Sequence, residues 1–191
     1  MQRIGLFGGS FDPVHWGHLL VAVAAREELG LARLFLVPAA QSPFKPERKP
    51  TPARERLRLL RLALAGWNWC EIDEQEVLRG GISYTIDTLR DYKERFSGAE
   101  LFYLIGADHV SQLPKWRAAD ELSGLARFIV IPRPGQSASP LPAPFHGQQL
   151  SGFPVAVSSS QIRARVKAGL TIEPFLPPAV AEAIRNNGLY L

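Results

Sequence analysis

Two histidines three residues apart close a glycine-rich turn in this chain, Gly8-Gly9-Ser10-Phe11-Asp12-Pro13-Val14-His15-Trp16-Gly17-His18. Small residues let a backbone come close to an anionic group, and the start of a helix supplies unpaired N–H donors with partial positive charge. If a helical turn begins there, His15 and His18 face one site, and their imidazole N–H groups add donors for phosphate oxygens. The turn is neither G-x-G-x-x-G nor a Walker A loop, because no Lys-Ser/Thr pair follows the glycines. A metal pair is another chemistry open to two histidines, but no third or fourth ligand stands nearby in sequence. The plainest alternative is a turn with two incidental histidines. A second stretch of the same character is Ser158-Ser159-Ser160-Gln161-Ile162-Arg163. Hydroxyls and N–H groups at a helix start suit phosphate, and Arg163 is near enough to reach the same anion. An ordinary N-cap with a surface arginine would look alike.

The elements that must hold these groups alternate short apolar runs with helical stretches, which argues for βαβ units and a doubly wound α/β parallel sheet. Strands are expected at residues 3–7, 33–37, 69–73, 101–105 and 127–131, with a short sixth at 153–157. The second is nearly all apolar, as a strand covered on both faces should be. Helices are expected at 17–29, closed by Gly30, and from Thr51 to about residue 65, with Thr51 as N-cap and Pro52 at the first helical position. Three more are expected: 85–96, a capping box Ser158-x-x-Gln161 opening a helix to about 168, and 177–187 stopped by Gly188. In the second helix Ala53, Leu57, Leu60 and Leu64 share one face, with Arg54, Arg58 and Arg61 in a stripe beside it. Residues 38–51 and 132–152 read as loops. Sheets of this kind bind ligands beyond the carboxyl ends of their strands.

The length of 191 residues suits one domain, and 46% hydrophobic with 21% charged residues is globular composition, which excludes a wholly disordered, collagen-like or coiled-coil chain. The net charge of +4 invites a nucleic-acid reading. Its placement argues otherwise: residues 45–61 carry Lys45, Arg48, Lys49, Arg54, Arg56, Arg58 and Arg61 against Glu47 and Glu55, a net +5 that leaves the remainder at −1. Cys70 is the single cysteine, so no internal disulfide forms, and its strand-like surroundings suggest a small core residue. The first ten residues lack the long apolar segment of a signal peptide, and no run of 18 apolar residues occurs, so a cytoplasmic protein without membrane contact is expected.

The first stretch resembles the (H/T)xGH signature of the nucleotidyltransferase superfamily, with Phe11, Asp12, Pro13, His15, Gly17 and His18 all in place. The second resembles the I-S-S-T-x-I-R motif of the same superfamily, with Val157 for Ile and Ser160 for Thr. Ser83-Tyr84-Thr85-Ile86-Asp87-Thr88-Leu89, Gly106-Ala107-Asp108 with Leu113-x-x-Trp116, and the tail Phe175-Leu176-Pro177-x-x-Val180 with Leu189-Tyr190 are similar to segments of bacterial nicotinate-nucleotide adenylyltransferases. The matches run from Ile4 to Tyr190 and imply a single nucleotidyltransferase domain over residues 1–191, a Rossmann-like sheet with helices on both faces and a small C-terminal helical segment.

The resemblance also implies roles. His15, His18, Lys45 and Arg163 would be catalytic, sharing the triphosphate charge with Ser159. Gly8, Gly9, Ser10, Phe11, Gly106, Asp108, Ser158, Ser159 and Ile162 would join His15, His18 and Arg163 in binding ATP. Ser10, Lys45, Thr85, Trp116 and Arg117 would bind nicotinate mononucleotide: Trp116 by stacking on the pyridinium ring, and backbone N–H groups near Thr85 and Arg117 by holding the carboxylate. Lys45 lies in Ser42-Pro43-Phe44-Lys45, which resembles P-P-H-K/R with Phe44 in place of His. The implied reaction is adenylyl transfer from ATP, a step of NAD biosynthesis, with Mg²⁺ carried mainly by the ATP phosphates and no metal ligand from the protein. An adenylyltransferase acting on phosphopantetheine, a nucleic-acid module using the arginine stripe and a nucleotide sensor are the alternatives, and a homo-oligomer is compatible with all of them.

Overall fold

The computed structural model describes residues 1–43, 50–135, 140–153 and 155–191. Six strands form one sheet in the order β3-β2-β1-β4-β5-β6, every neighbouring pair parallel. They are β1 (Arg3–Gly9), β2 (Arg33–Pro38), β3 (Cys70–Ile72), β4 (Glu100–Gly106), β5 (Arg127–Ile131) and β6 (Gly147–Gln149). The helices are α1 (Trp16–Leu29), α2 (Ala53–Ala63), α3 (Gln75–Arg79), α4 (Thr85–Arg95), α5 (Ala119–Leu125), α6 (Ser159–Lys167) and α7 (Pro178–Asn186). A 3₁₀ stretch, Ala107–Lys115, follows β4 directly.

Side chains alternate across the sheet with the two-residue period of a strand. In β2, Leu34 and Leu36 enter one core with Phe7 of β1 and Phe102 and Leu104 of β4, while Phe35 and Val37 enter the other with Ile4, Leu6, Leu101, Tyr103 and Ile105. Helices α1, α2, α6 and α7 cover the first face, and α4 and α5 cover the second. Leu60, Leu36, Leu89 and Phe128 are wholly excluded from solvent. Each such side chain contributes about 1.5–3 kcal/mol through burial.

Most expected elements occur, with ends displaced by one or two residues. The Thr51-Pro52 start is one example: α2 begins at Ala53, with Pro52 in the N-cap position rather than the first helical one. Cys70 opens β3 and is buried. The expected sixth strand at 153–157 is wrong. The described residues of that stretch, 153 and 155–157, lie in no strand, and Phe153 and Val155 are exposed. The actual β6 is the polar segment Gly-Gln-Gln, pressed so close to β5 that a Cβ on Gly147 would overlap the Phe128 carbonyl. Helices α3 and α5 and the 3₁₀ stretch arise where no element is legible in the sequence.

Candidate active site

Strand order reverses between β1 and β4, the topological switch point where open parallel sheets leave a crevice beyond their carboxyl ends. Both signature stretches and the segment after β4 converge there. The glycine turn links Gly9 of β1 to Trp16 of α1, so the first N–H groups of a 14-residue helix point into the crevice. His15 is the N-cap residue of α1 and His18 lies in its first turn. Their rings stack with centroids 3.8 Å apart. Gly17 makes room for this, since a Cβ there would sit 3.0 Å from His15 Nδ1.

The protonation of the pair follows from its surroundings. His18 Nδ1 accepts from the His15 backbone N–H at 3.2 Å, so a neutral His18 carries its proton on Nε2 and offers a donor at that atom. Burial, and secondarily His15 beside it, holds His18 well below its ordinary pKa. Burial lowers His15 to about 4. His15 Nδ1 has no hydrogen-bond partner among the described residues. Two neutral imidazoles of this kind are suited to donating to an anion rather than ligating a hard divalent cation, which prefers oxygen. Among the described residues no three His, Cys, Asp or Glu side chains cluster as a metal site.

Three carbonyls of the turn are held by groups far away in sequence. Arg163 of α6 donates from Nη1 to the Asp12 carbonyl at 2.6 Å, and the Ser159 hydroxyl donates to the Pro13 carbonyl at 2.9 Å. Arg56 of α2 donates from Nη1 to the Ser10 carbonyl at 2.8 Å. Phe11, between the held residues, has a left-handed backbone with φ of 47°. In a non-glycine residue that conformation costs about 1–3 kcal/mol and persists only where neighbours over-determine it. Its buried ring stands edge-on to Phe7 and His18, with centroids 5.5 and 5.0 Å away.

Helix α6 realises half of the expected capping box: the Ser158 hydroxyl accepts from the Gln161 N–H at 3.2 Å, while the Gln161 side-chain oxygen accepts from that hydroxyl at 3.0 Å instead of from the Ser158 N–H. The Ile162 side chain is fully buried in the core and its N–H donates to the Ser158 carbonyl, so Ile162 anchors the helix rather than facing the crevice. Arg163 also donates from Nη2 to the Ser160 hydroxyl at 3.0 Å. Lys45, with Phe44, Arg48 and Lys49, lies outside the described residues.

The other wall of the crevice is built from β4, the 3₁₀ stretch and the start of α4. Thr85 is the first residue of α4, with Tyr84 at the N-cap, so its backbone N–H belongs to the unpaired first turn. The Thr85 hydroxyl lies 3.1 Å from the Tyr103 hydroxyl of β4. Trp116 ends the 3₁₀ stretch and meets Tyr103, His109 and Phe128 edge-on, at centroid distances of 6.3, 6.5 and 6.4 Å. Arg117 lies over the Tyr84 ring at 4.8 Å and pairs with Asp87 at 4.0 Å, which brings the residues after Trp116 against the start of α4. Gly106 closes β4 and Asp108 is the second residue of the 3₁₀ stretch, where its carboxylate is paired with Arg133 at 2.6 Å.

Two participants are invisible in the sequence motifs. Glu76 of α3 is buried, accepts from the Thr88 hydroxyl at 2.6 Å and from Ser83, and has its pKa raised by burial. The Ser83 hydroxyl in turn accepts from the Ala40 N–H at 2.9 Å, tying the segment after β2 to the start of α4. Arg56 is the other. It lies three residues after Ala53 and four before Leu60, on the inward face of α2, and that spacing was the available signal. The flanking stripe is paired instead: Arg54 and Arg58 with Glu55, and Arg61 with Glu74. No helix among the described residues is long and apolar enough to cross a membrane.

The comparisons with known proteins agree with this fold. Residues 6–165 match the cytidylyltransferase-like family. A probable nicotinate-nucleotide adenylyltransferase of Opitutus terrae is 40% identical over 99% of this chain and 98% of its own length. One from Shouchella clausii is 40% identical over 100% and 97%. Among solved structures, Plasmodium falciparum nicotinic acid mononucleotide adenylyltransferase complexed with NaAD superposes with a TM-score of 0.81 at 17% identity, covering 100% of this chain and 98% of that one, a likeness of fold. The chain belongs to the cytidylyltransferase-like family and, within it, to the nicotinate-nucleotide adenylyltransferases.

Proposed function

We propose that the protein transfers the adenylyl group of ATP to nicotinate mononucleotide, giving deamido-NAD and pyrophosphate, within one domain spanning residues 1–191. The observation that carries the reading is the stacked, neutral His15–His18 pair at the start of α1, beside a turn whose carbonyls are pulled away by Arg163 and Ser159. The 5′-phosphate of the acceptor attacks the α-phosphorus in line. It is already anionic and needs little help from a general base, so the protein positions the reactants and stabilises charge. His18 Nε2 donates to the triphosphate, and His15, Arg163, Ser159 and the N–H groups around Gly8, Gly9, Ser10 and Phe11 share its charge. Lys45 joins them through the family motif alone. The nucleotide enters as its divalent-metal complex, Mg²⁺ in this reading, which screens the phosphates and keeps its own waters.

On the other wall, Trp116 stacks on the pyridinium ring, and N–H groups at Thr85 and Arg117 receive the nicotinate carboxylate. Asp108 and Gly106 lie at the ribose end of ATP, where the Arg133 pair limits Asp108 to the oxygen that Arg133 does not hold. The ion pairing of Arg54, Arg58 and Arg61 supports a solvated helix face over a nucleic-acid surface. The reading also places the enzyme in the cytoplasm.

The test is pyrophosphate release by purified protein with ATP, Mg²⁺ and a panel of acceptors. Turnover is expected with nicotinate mononucleotide. Turnover with phosphopantetheine and none with nicotinate mononucleotide would overturn the assignment.

A further inference from the structure

Among the described residues Arg56 is the largest wholly buried side chain, 1% exposed, on a helix that supplies none of the residues proposed to bind substrate. A guanidinium pays heavily in lost hydration when it is buried, and a Met or Leu would fill the same place on the inward face of α2 without that penalty. Its contacts show what the charge is used for. Nε donates to the Thr51 carbonyl at 2.9 Å, and Nη1 donates to the Ser10 carbonyl at 2.8 Å, 46 residues earlier in the chain. The buried Asp12 carboxylate and the Tyr190 phenol are its electrostatic neighbours. Asp12 Oδ2 accepts from the Thr51 N–H at 3.4 Å, so the start of α2 and the turn are held to each other twice.

The peptide geometry turns this contact toward the site. The Ser10–Phe11 bond is trans, so its C=O and N–H point in opposite directions. Fixing the Ser10 carbonyl on Arg56 therefore aims the Phe11 N–H away from α2. The same contact restrains Phe11 in the left-handed conformation that nothing in its own side chain favours. Arg163 and Ser159 hold the carbonyls of Asp12 and Pro13 from α6, and Arg56 reaches the Ser10 carbonyl with its charge from α2.

We propose that Arg56 is a positioning residue for nucleotide binding: it holds the Ser10 carbonyl so that the Phe11 N–H and the turn around it are presented to the ATP phosphates. The inference rests on the adenylyl-transfer reading only for the identity of the nucleotide. Its test is the affinity for Mg²⁺-ATP measured at equilibrium without acceptor, for the wild type, Arg56→Met and Arg56→Lys, together with the KM for nicotinate mononucleotide and thermal unfolding. Arg56→Met should bind ATP at least tenfold more weakly, with the acceptor KM within twofold of wild type. Arg56→Lys, which keeps the charge but not the fork, should fall between. ATP affinity unchanged in a folded variant, or ATP and acceptor affinities falling by one common factor, would overturn the proposal. If Arg56→Met does not fold, Arg56→Lys is read by the same two outcomes. A wild type that binds ATP but ignores nicotinate mononucleotide would remove the acceptor assignment and leave the Arg56 comparison intact.

Discussion

The two walls of the crevice are held in different ways. The phosphate turn is shaped through its main chain: Arg56, Ser159 and Arg163 reach the carbonyls of Ser10, Pro13 and Asp12 across 46, 146 and 151 residues. The acceptor wall is shaped through side chains. Thr85 meets Tyr103, Arg117 lies on Tyr84, and Trp116 is braced by the edges of three rings. A wall built on backbone presents the same N–H groups whatever side chains surround it, which suits a triphosphate common to a superfamily. A wall built on side chains can change its ligand by changing residues. In the adenylyl-transfer reading proposed above, the first wall would stabilise charge and the second would recognise the acceptor.

That division can be broken most directly at His18. His18→Ala should lower kcat by about 10²–10³-fold, the usual loss when a donor to developing charge is removed, with the melting temperature little changed. Unchanged turnover would take His18 out of the chemistry and leave the phosphate wall as a binding surface only. A pH titration of stability comes next. His15 has its pKa lowered to about 4 by burial, against 6.5 in an unfolded chain. Between those values the unfolded chain binds a proton that the folded one does not, so stability rises with pH through the window and is lost as pH falls from 6.5 toward 4. The loss should amount to about 3 kcal/mol. Denaturant unfolding of wild type and His15→Gln across that range should show the variant's dependence flattened; parallel curves would mean that His15 is not held neutral. The smallest effect belongs to the acceptor wall. Trp116→Ala should raise the KM for nicotinate mononucleotide about tenfold, the scale of one stacked cation–π contact. A change confined to ATP affinity would erase the distinction between the walls.

The sequence carried the parallel sheet and the two phosphate stretches because their signals are local. The apolar runs at β1, β2, β4 and β5, the capping box at Ser158 and the H-x-G-H spacing each show their purpose within a few residues. What failed was long-range or polar. The alternation Phe153-Pro154-Val155-Ala156-Val157 looks like a strand, yet Phe153 and Val155 face solvent. The real edge strand is Gly-Gln-Gln, chosen by the close approach of its glycine to β5 rather than by hydrophobicity. Helices α3 and α5 are five and seven residues long, too short for a helical period to emerge. Arg56 was hidden by its own charge. Counted only among seven basic residues of one stretch, it was given no place on the apolar face, although its spacing from Ala53, Leu57 and Leu60 sets it there. Glu76 offered no comparable sign, because its partners Ser83 and Thr88 belong to a different turn and helix.

The distance between the turn and its restraints bears on how the protein comes into being. On a ribosome some 150 further residues must follow the glycine turn before Arg163 can take hold of it. β1 likewise waits for β4, its neighbour across the switch point, until about a hundred residues have been made. Folding therefore depends on contacts of high sequence separation, the slow kind. A nascent chain carries the signature residues long before it carries the shape that makes them useful, so nucleotide binding is acquired late and reports that α6 has docked.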